Sequence, residues 1–488
     1  MKLRRSRITL AVAAAFALGA GATLPSISSA SAALDATSGE WSADTELGNV
    51  LLFPYYTVRD NPKTGTPYRT SFTVTNTSDK VVVLKFRLRD HKNSQDVLDF
   101  IWAMSPKDEV VAYMNRAANG QPQVNFPTDE KSCRIPWFNG ASTFTAPGGT
   151  VSVADAQEGH LEIIPMVQLD PTVAPAASVV HGPGQNCDTI SNLFLNNTEA
   201  AIQAALANAT PEPVEDVLRG SYSITSQGGF SGGGRALAVA SWGLGDQPFY
   251  FGQNPLQATA TQLNGKDTRQ WDHPHLGDSA DTANIDDSVI SAQSALNNWS
   301  TNPANGVGVD WVVTYFTKYL WQDVNGFYGP AGTYAWPVDP TAGPYDLSLE
   351  TDSPWTTPLS GAGGECVTID LDESELYDRE ENTLELLLGG ISPGPDLPTV
   401  DICNEANVIA VSQNGFREEV LRGNDAIVLD VTGLPQPYGW ASIAVNPDAD
   451  TVPVAVGGFA FTVRDLGDPT TAYGAIQDHD LILPVAPQ

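Results

Sequence analysis

The sequence predicts a mainly β protein: two antiparallel sandwich-like (immunoglobulin-like) domains with a few inserted helices. Two observations support this. Apolar and polar residues alternate over strand-length segments separated by turn residues, and the elements show no alternating α/β order. A chain of 488 residues is long enough for two or three domains, because single cores rarely grow past about 250 to 300 residues.

The clearest alternation runs from Thr70 to Met114. Turns at 76–80, 90–94 and 105–108 separate its apolar series, which are Phe72 and Val74; Val82, Leu84, Phe86 and Leu88; Leu98, Phe100, Trp102 and Met104; and Val110, Ala112 and Met114. This period of two predicts consecutive antiparallel strands, each with one face toward a core and one toward water. Such sheets pack face to face as a sandwich.

Two helices are predicted from apolar spacing. The first has Ile190, Phe194, Ile202 and Leu206 near helical spacing, with Asn197 or Thr198 as a cap in its second half. The second covers 286–299 and ends before Pro303. Pro54 predicts that the strand at 50–58 is an edge or opening strand. The predicted domains are a signal peptide at 1–32, an N-terminal β-sandwich-like domain with a helical insert at 33–261, a helical connector at 262–305 and a C-terminal β-sandwich-like domain at 306–488.

Export is predicted from the first 32 residues. A basic start, an apolar run from Ile8 to Leu18 and the small residues at 30–32 are typical of a secretory signal peptide. Its removal changes the net charge from −32 to −36, since it carries four basic residues and no acid. Such acidity argues against nucleic acid and anionic membranes as partners. No later stretch is long and apolar enough to span a bilayer.

Four cysteines in an exported chain predict disulfides. The sequence allows three pairings. We favour Cys133 with Cys187 and Cys366 with Cys403, because each pair then lies within one β region.

Three motifs suggest chemistry, and each has a structural alternative. Gly229 to Gly233 matches a nucleophile elbow around Ser231, but the strand-like segment after it favours a flexible glycine-rich hairpin loop. Asp272, His273, His275 and Asp278 would suit zinc, although Pro274 favours an exposed loop. Asn446, Asp448 and Asp450 have the opening spacing of a calcium loop without its glycine or closing glutamate.

An acidic cluster and a group of aromatic residues complete the candidates. Seven carboxylates lie between Asp370 and Glu381, and four of them, Asp370, Asp372, Glu373 and Glu375, are the candidate calcium ligands. The alternative is a solvated strand face, and no other cofactor is predicted. Aromatic side chains on loops can hold a sugar ring or fasten the loop to its domain, and the candidates are Trp321, Tyr334, Trp336 and Trp355.

Similar segments near the ends of the two β regions predict a duplicated unit. Residues 159–164 match 439–444, and residues 236–246 match 458–468, each of the latter ending in Leu-Gly-Asp. The alternative is a turn that arose twice.

Four blocks carry a resemblance to a family: residues 93–100, 105–108, 310–314 and 377–381. They resemble segments of an uncharacterised family of exported proteins of Gram-negative bacteria. The resemblance implies export, and it brings no activity, ligand or catalytic residue with it. The sequence therefore predicts an exported, acidic structural or interaction protein without catalysis, located at the cell surface, outside the cell or in the periplasm, with a protein or glycan partner. The alternative is a secreted carbohydrate-binding module or polysaccharide-active hydrolase.

Overall fold

The computed structural model describes only part of the chain. The described residues are 33–35, 40–42, 47–92, 96–136, 143–145, 152–226, 231–240, 248, 250, 292–302, 306–316, 357–358, 365–370, 375–383, 399–416, 420–421, 423, 427–445, 456–464 and 473–482.

The first β region contains fourteen described strands. They are β1 Ala33–Asp35, β2 Glu40–Ser42, β3 Val50–Thr57, β4 Tyr68–Asn76, β5 Val81–Asp90, β6 Asp96–Met104, β7 Glu109–Arg116, β8 Pro122–Asn125, β9 Cys133–Ile135, β10 Thr143–Thr145, β11 Glu158–Leu169, β12 Leu218–Ser226, β13 Ser231–Arg235 and β14 Leu237–Ala240. Between β11 and β12 lie the helices α1 Cys187–Asn196 and α2 Glu199–Leu206. Three short 3-10 helices cover Asp155–Gln157, Ala176–Ser178 and Ala207–Ala209.

The second β region contains twelve described strands. They are β15 Ser294–Asn302, β16 Val307–Tyr315, β17 Thr357–Pro358, β18 Glu365–Asp370, β19 Glu375–Asp378, β20 Thr399–Ile402, β21 Ala406–Ser412, β22 Ile427–Asp430, β23 Tyr438–Ala444, β24 Val456–Arg464, β25 Tyr473–Asp478 and β26 Asp480–Ile482. The mainly β, largely antiparallel character predicted from the sequence is thus confirmed. The finer immunoglobulin-like prediction is not confirmed.

The first region is a sandwich of two sheets. One has the order β2-β1-β14-β3-β11-β5-β6-β9, and the other has the order β10-β8-β7-β4-β12-β13. The predicted strands from Thr70 to Met114 are present as β4 to β7, but only β5 and β6 form a hairpin. The chain crosses between the sheets from β4 to β5 and from β6 to β7. Their apolar faces therefore meet across the sandwich, as Phe72 does with Phe86 at 5.5 Å between ring centres.

The strand that contains Pro54 does not lie at an edge of its sheet. The predicted edge position is therefore wrong. β3 lies between β11 and β14, and its register against β11 shifts between Phe53 and Tyr56. This bulge accommodates a residue that cannot donate a backbone hydrogen bond.

The predicted helical insert is confirmed. α1 and α2 lie on the outer face of the eight-stranded sheet, and Thr198 is the N-cap residue of α2. The helix prediction depended on the spacing of four apolar residues, Ile190, Phe194, Ile202 and Leu206. All four are fully buried, in one cluster with residues such as Val81 and Val83 of β5. Neither helix is long and apolar enough to cross a membrane, and the same holds for every helix in the described part of the chain.

The second region has a nine-stranded sheet folded into two layers, which are joined at the end of the β15–β16 hairpin, and a separate three-stranded sheet of order β17-β18-β20. One layer contains β19, β23, β15 and β26, and the other contains β22, β21, β16, β24 and β25. The helix predicted at 286–299 is wrong over residues 294–299, which belong to β15. Asn297 and Thr301 occupy buried positions beside Ala295 and Trp299, so the inward face is half polar and the period of two was hidden. Residues 286–291 lie outside the described part.

One hydrophobic cluster includes residues of both β regions. Phe459 of β24 packs against Tyr55 of β3 and Tyr222 of β12, with ring centres 6.3 and 5.7 Å apart. Val312 and Phe461 belong to the same cluster as Phe72 and Trp102. The second region thus closes one side of the first sandwich, while the predicted domain boundaries stay predictions.

The duplication is wrong in the alignment predicted from sequence. β11 and β23 occupy equivalent positions, but β14 lies beside β3 in the eight-stranded sheet, whereas β24 pairs with β16 in the opposite layer. The two Leu-Gly-Asp segments lie outside the described residues.

A repeat is present in a different alignment. Eight strands of the first region pair with one another in the same pattern as eight strands of the second region, matched in chain order. The first set is β3, β4, β5, β7, β11, β12, β13 and β14, and the second set is β15, β16, β19, β21, β23, β24, β25 and β26. In the first copy Gly159 lies opposite Asp90 and Tyr56. In the second copy Gly439 lies opposite Asp378 and Trp299. The two regions therefore share the pairing pattern of these strands and the register at this glycine.

Gly439→Ala is expected to lower the free energy of unfolding by about 1 to 3 kcal/mol, measured by urea denaturation. A Cβ atom at this position would lie 1.9 Å from the carbonyl oxygen of Tyr377, so the paired strands would have to separate. Gly184→Ala is the control, since no atom of the described residues lies within 4 Å of its Cβ position. Equal stability of the two variants would contradict the close approach of β19 and β23.

Candidate functional site

Ionisable side chains concentrate on the outer face of the eight-stranded sheet, where β5 and β11 pair. We define the junction cluster as Arg59, Arg89, Glu158, His160, Glu162 and Glu405. The sequence alternation predicts that Arg89 faces water, yet it is only 3% exposed, and both His160 and Glu162 are 0% exposed.

The centre of the cluster is a buried ion pair. Arg89 Nε donates to Glu162 Oε2 at 2.8 Å. The imidazole of His160 lies between two carboxylates, with Nε2 3.5 Å from Glu162 Oε1 and Nδ1 3.9 Å from Glu405 Oε2. Glu405 comes from the second β region and is fully buried, so the cluster spans both regions.

A second group surrounds Glu158 at the start of β11. Its carboxylate accepts a hydrogen bond of 2.5 Å from the Tyr55 hydroxyl and lies 2.9 Å from Arg59 Nε. The Nε2 atom of His91 is 3.9 Å away. The backbone N–H of Ala406, next to Glu405, donates to the carbonyl of His91 at 3.0 Å. The two groups thus meet the second region at the same place.

Burial and the neighbouring charges set the protonation states. Burial raises the pKa of Glu162, but the charge of Arg89 and the contact with His160 outweigh it and hold that pKa well below its usual range. Burial lowers the pKa of His160 despite the opposing effect of Glu162. The cluster therefore holds an ionised Glu162 beside a neutral His160.

General acid or base catalysis needs a group within reach of a substrate proton. In this cluster the carboxylates and the imidazole are enclosed between the sheet and the second region, where Phe316 contacts His160 at 5.5 Å between ring centres. The arrangement is suited to fastening two β regions together. A sequence signal existed: the outward positions of β5 are basic at Lys85, Arg87 and Arg89, while β11 offers Glu158 and Glu162.

The candidates predicted from the sequence fall mostly outside the described residues. Trp321, Tyr334, Trp336, Trp355, Asp372 and Glu373 are not described, nor are residues 272–278 and 446–450. Asp370 ends β18, and Glu375 is an exposed residue at the start of β19.

Asp378, a member of the same acidic stretch, stabilises a turn. Its Oδ1 accepts hydrogen bonds from the backbone N–H groups of Glu380 at 2.8 Å and Asn382 at 3.0 Å. Burial raises its pKa, but these bonds and those from the Asn382 side chain outweigh it and lower the pKa. Within the described part of the chain, no three His, Cys, Asp or Glu residues are grouped to hold a metal ion.

Ser231 lies in a strand and not in a nucleophile elbow. It begins β13, which pairs antiparallel with β12, so the glycine-rich segment from 231 on is strand, although a loop was predicted. A Cβ atom on Gly232 would lie 2.7 Å from Phe461 Cε2 and 2.8 Å from Ile476 Cγ1. The glycines allow β13 to approach the second β region closely.

The disulfide between Cys133 and Cys187 is confirmed, with a Cα–Cα distance of 5.2 Å. It ties β9 to the first residue of α1. Cys403 is also disulfide-bonded. The register that pairs Val367 with Ile402 places Cys366 opposite Cys403 along the backbone, and their pairing stays a prediction.

His479 is a buried residue that sequence reasoning missed. Its Nε2 donates to the carbonyl of Val312 at 2.9 Å, and its Nδ1 accepts from Asn297 Nδ2 at 2.9 Å. These bonds suit the neutral ring, and burial lowers the pKa of His479 from 6.5 to about 4.

The free energy of unfolding is expected to fall by up to about 3 kcal/mol through His479 as pH drops from about 6.5 to about 4. Over this range the unfolded chain binds a proton that the folded chain does not, so stability is complete above the unfolded pKa and lost on acidification. Urea titrations of wild type and His479→Gln across this range measure it. An equally steep loss in both proteins would contradict this role.

Comparisons with known proteins add no identification: no family model, no curated protein and no solved structure matches the chain.

Proposed function

We propose that the protein is an exported, acidic structural or interaction protein of the cell surface or extracellular space, without catalytic activity. The observation that supports this best is the junction cluster. It gathers acids, bases and histidine as an active site would, yet encloses them between two β regions.

Export is supported by two features. The first 32 residues resemble a signal peptide, and the disulfide between Cys133 and Cys187 is compatible with an oxidising compartment, where such bonds usually form and persist. The net charge of −32 favours solubility and disfavours polyanionic partners.

Two experiments test the proposal. Fractionation of cells is expected to recover the protein outside the cytoplasm, and recovery in the cytoplasm would refute export. Purified protein is expected to turn over no polysaccharide, ester or peptide in a broad panel. The variants Ser231→Ala and Glu375→Gln should fold like wild type, because both residues are exposed, and should give the same readings. Turnover that either substitution abolishes would refute the non-catalytic assignment.

A further inference from the structure

Three aromatic side chains form a patch on the outer face of the layer that contains β19, β23 and β15. We define the aromatic row as Tyr377, Tyr438 and Trp440. Each is half-buried, while the alternate positions Leu376 and Ala441 point into the core. Tyr377 and Trp440 are cross-strand partners whose rings stack with centres 4.6 Å apart and planes 20° apart.

The row is held rigidly from beneath. The buried indole of Trp299 donates to the carbonyl oxygens of Tyr377 at 3.1 Å and Trp440 at 3.3 Å. Gly439 allows the two strands to approach, and Asp378 closes the turn that follows Tyr377. A ligand would therefore meet rings already in place, which lowers the entropic cost of binding.

Polar groups border the row. Asn298, which is exposed, lies opposite Trp440 across the strand pair, and Ser300 lies opposite Tyr438. Asn298 Nδ2 donates to the side chain of Gln477, which is also exposed, at 3.3 Å. Amides and hydroxyls beside aromatic faces suit a ligand with an apolar face and a rim of hydroxyl groups.

We infer that the aromatic row, together with Asn298, binds a neutral polysaccharide through the apolar faces of its sugar rings. This inference rests on the proposed function, because it takes the protein to bind without converting its ligand, and it names the class of partner.

Charge and ring geometry select a neutral glycan. The exposed carboxylates Glu375, Glu380 and Glu381 lie on and after β19, in a chain of net charge −32, and would repel an anionic polymer. A compact cation prefers several rings that converge on one point, as in an aromatic cage, whereas Tyr377 and Trp440 stack on each other and leave only their outer faces to a ligand. The ring of Tyr438 already has the guanidinium of Arg379 5.6 Å from its centre.

Affinity electrophoresis in gels containing hydroxyethylcellulose, galactomannan, laminarin or soluble starch tests the inference, with alginate and polygalacturonate as anionic probes. At least one neutral polymer is expected to retard the protein. Trp440→Ala should weaken that affinity by about tenfold or more, and Trp440→Phe should retain most of it. Asn298→Ala is a second variant at an exposed position and should also weaken binding.

Tyr113→Ala is the matched control, since Tyr113 is a half-buried tyrosine on the outer face of the other sandwich, beneath Arg69. It should leave binding unchanged. Retardation by no neutral polymer, by anionic polymers only, or equally in wild type, Trp440→Ala and Asn298→Ala would each overturn the inference. Cleavage of a bound glycan would instead overturn the proposed function and leave the binding site standing.

Discussion

Glu162→Gln is expected to lower the free energy of unfolding by about 3 to 5 kcal/mol at neutral pH, measured by urea denaturation. Glu162 and Arg89 are almost completely buried, and their hydrogen bond is 2.8 Å long. Removing the carboxylate charge takes away the ionic acceptor of this hydrogen bond in a site that is closed to water. Part of the desolvation cost of the buried guanidinium is then no longer offset and opposes folding.

Asp60→Asn is the matched control for this ion pair. Asp60 pairs with Arg116 at 2.6 Å, a shorter distance, but the two side chains are 36% and 24% exposed. Screening by water limits such a pair to about 1 kcal/mol or less. If both variants lost the same stability, burial would not be what makes the junction cluster important.

Replacing both Cys133 and Cys187 with alanine is expected to cost about 4 kcal/mol of unfolding free energy. The disulfide closes a loop of 54 residues, and cross-linking a loop of this size removes about that much conformational entropy from the unfolded chain. The bond also holds the start of α1 against β9, so the helical insert should become more sensitive to proteolysis.

Urea denaturation of the double alanine variant, with limited proteolysis of the 187–206 segment, measures both effects. Under reducing conditions wild type and the variant should be equally stable, apart from the alanine substitutions themselves, because reduction also opens the disulfide of Cys403 in both. A loss below about 1 kcal/mol would mean that the unfolded chain is already compact around this loop.

Individual strands and helices could be predicted from the sequence where the pattern of apolar residues along one segment determines them. Strands β4 to β7 and helices α1 and α2 follow from apolar periodicity and from the cap at Thr198. The sheet to which each strand belongs could not be predicted. β4 and β5 would show the same alternation of apolar and polar residues whether they paired within one sheet or packed against each other from two sheets. β15 was predicted to be a helix because the polar residue Asn297 lies on its buried face. There the Asn297 side chain is hydrogen-bonded to His479, a residue 182 positions away.

The junction cluster was missed for a related reason. Alternation indicates which residues leave the core, but not whether a second β region covers them. Arg89 therefore reads as a water-facing residue until Glu405 and Phe316 are placed over the sheet. The aromatic row was missed because Tyr377 and Trp440 lie 63 residues apart and meet only through strand pairing.

Native-state hydrogen exchange tests most directly whether the junction cluster fastens the two β regions into one unit. The amides of β5 and β11 and those of β16 and β21 are expected to open with free energies equal to within about 1 kcal/mol, and Glu405→Gln should lower both sets together. Contradiction would come from β16 and β21 opening several kcal/mol more easily than β5 and β11, with Glu405→Gln affecting only one of the two sets.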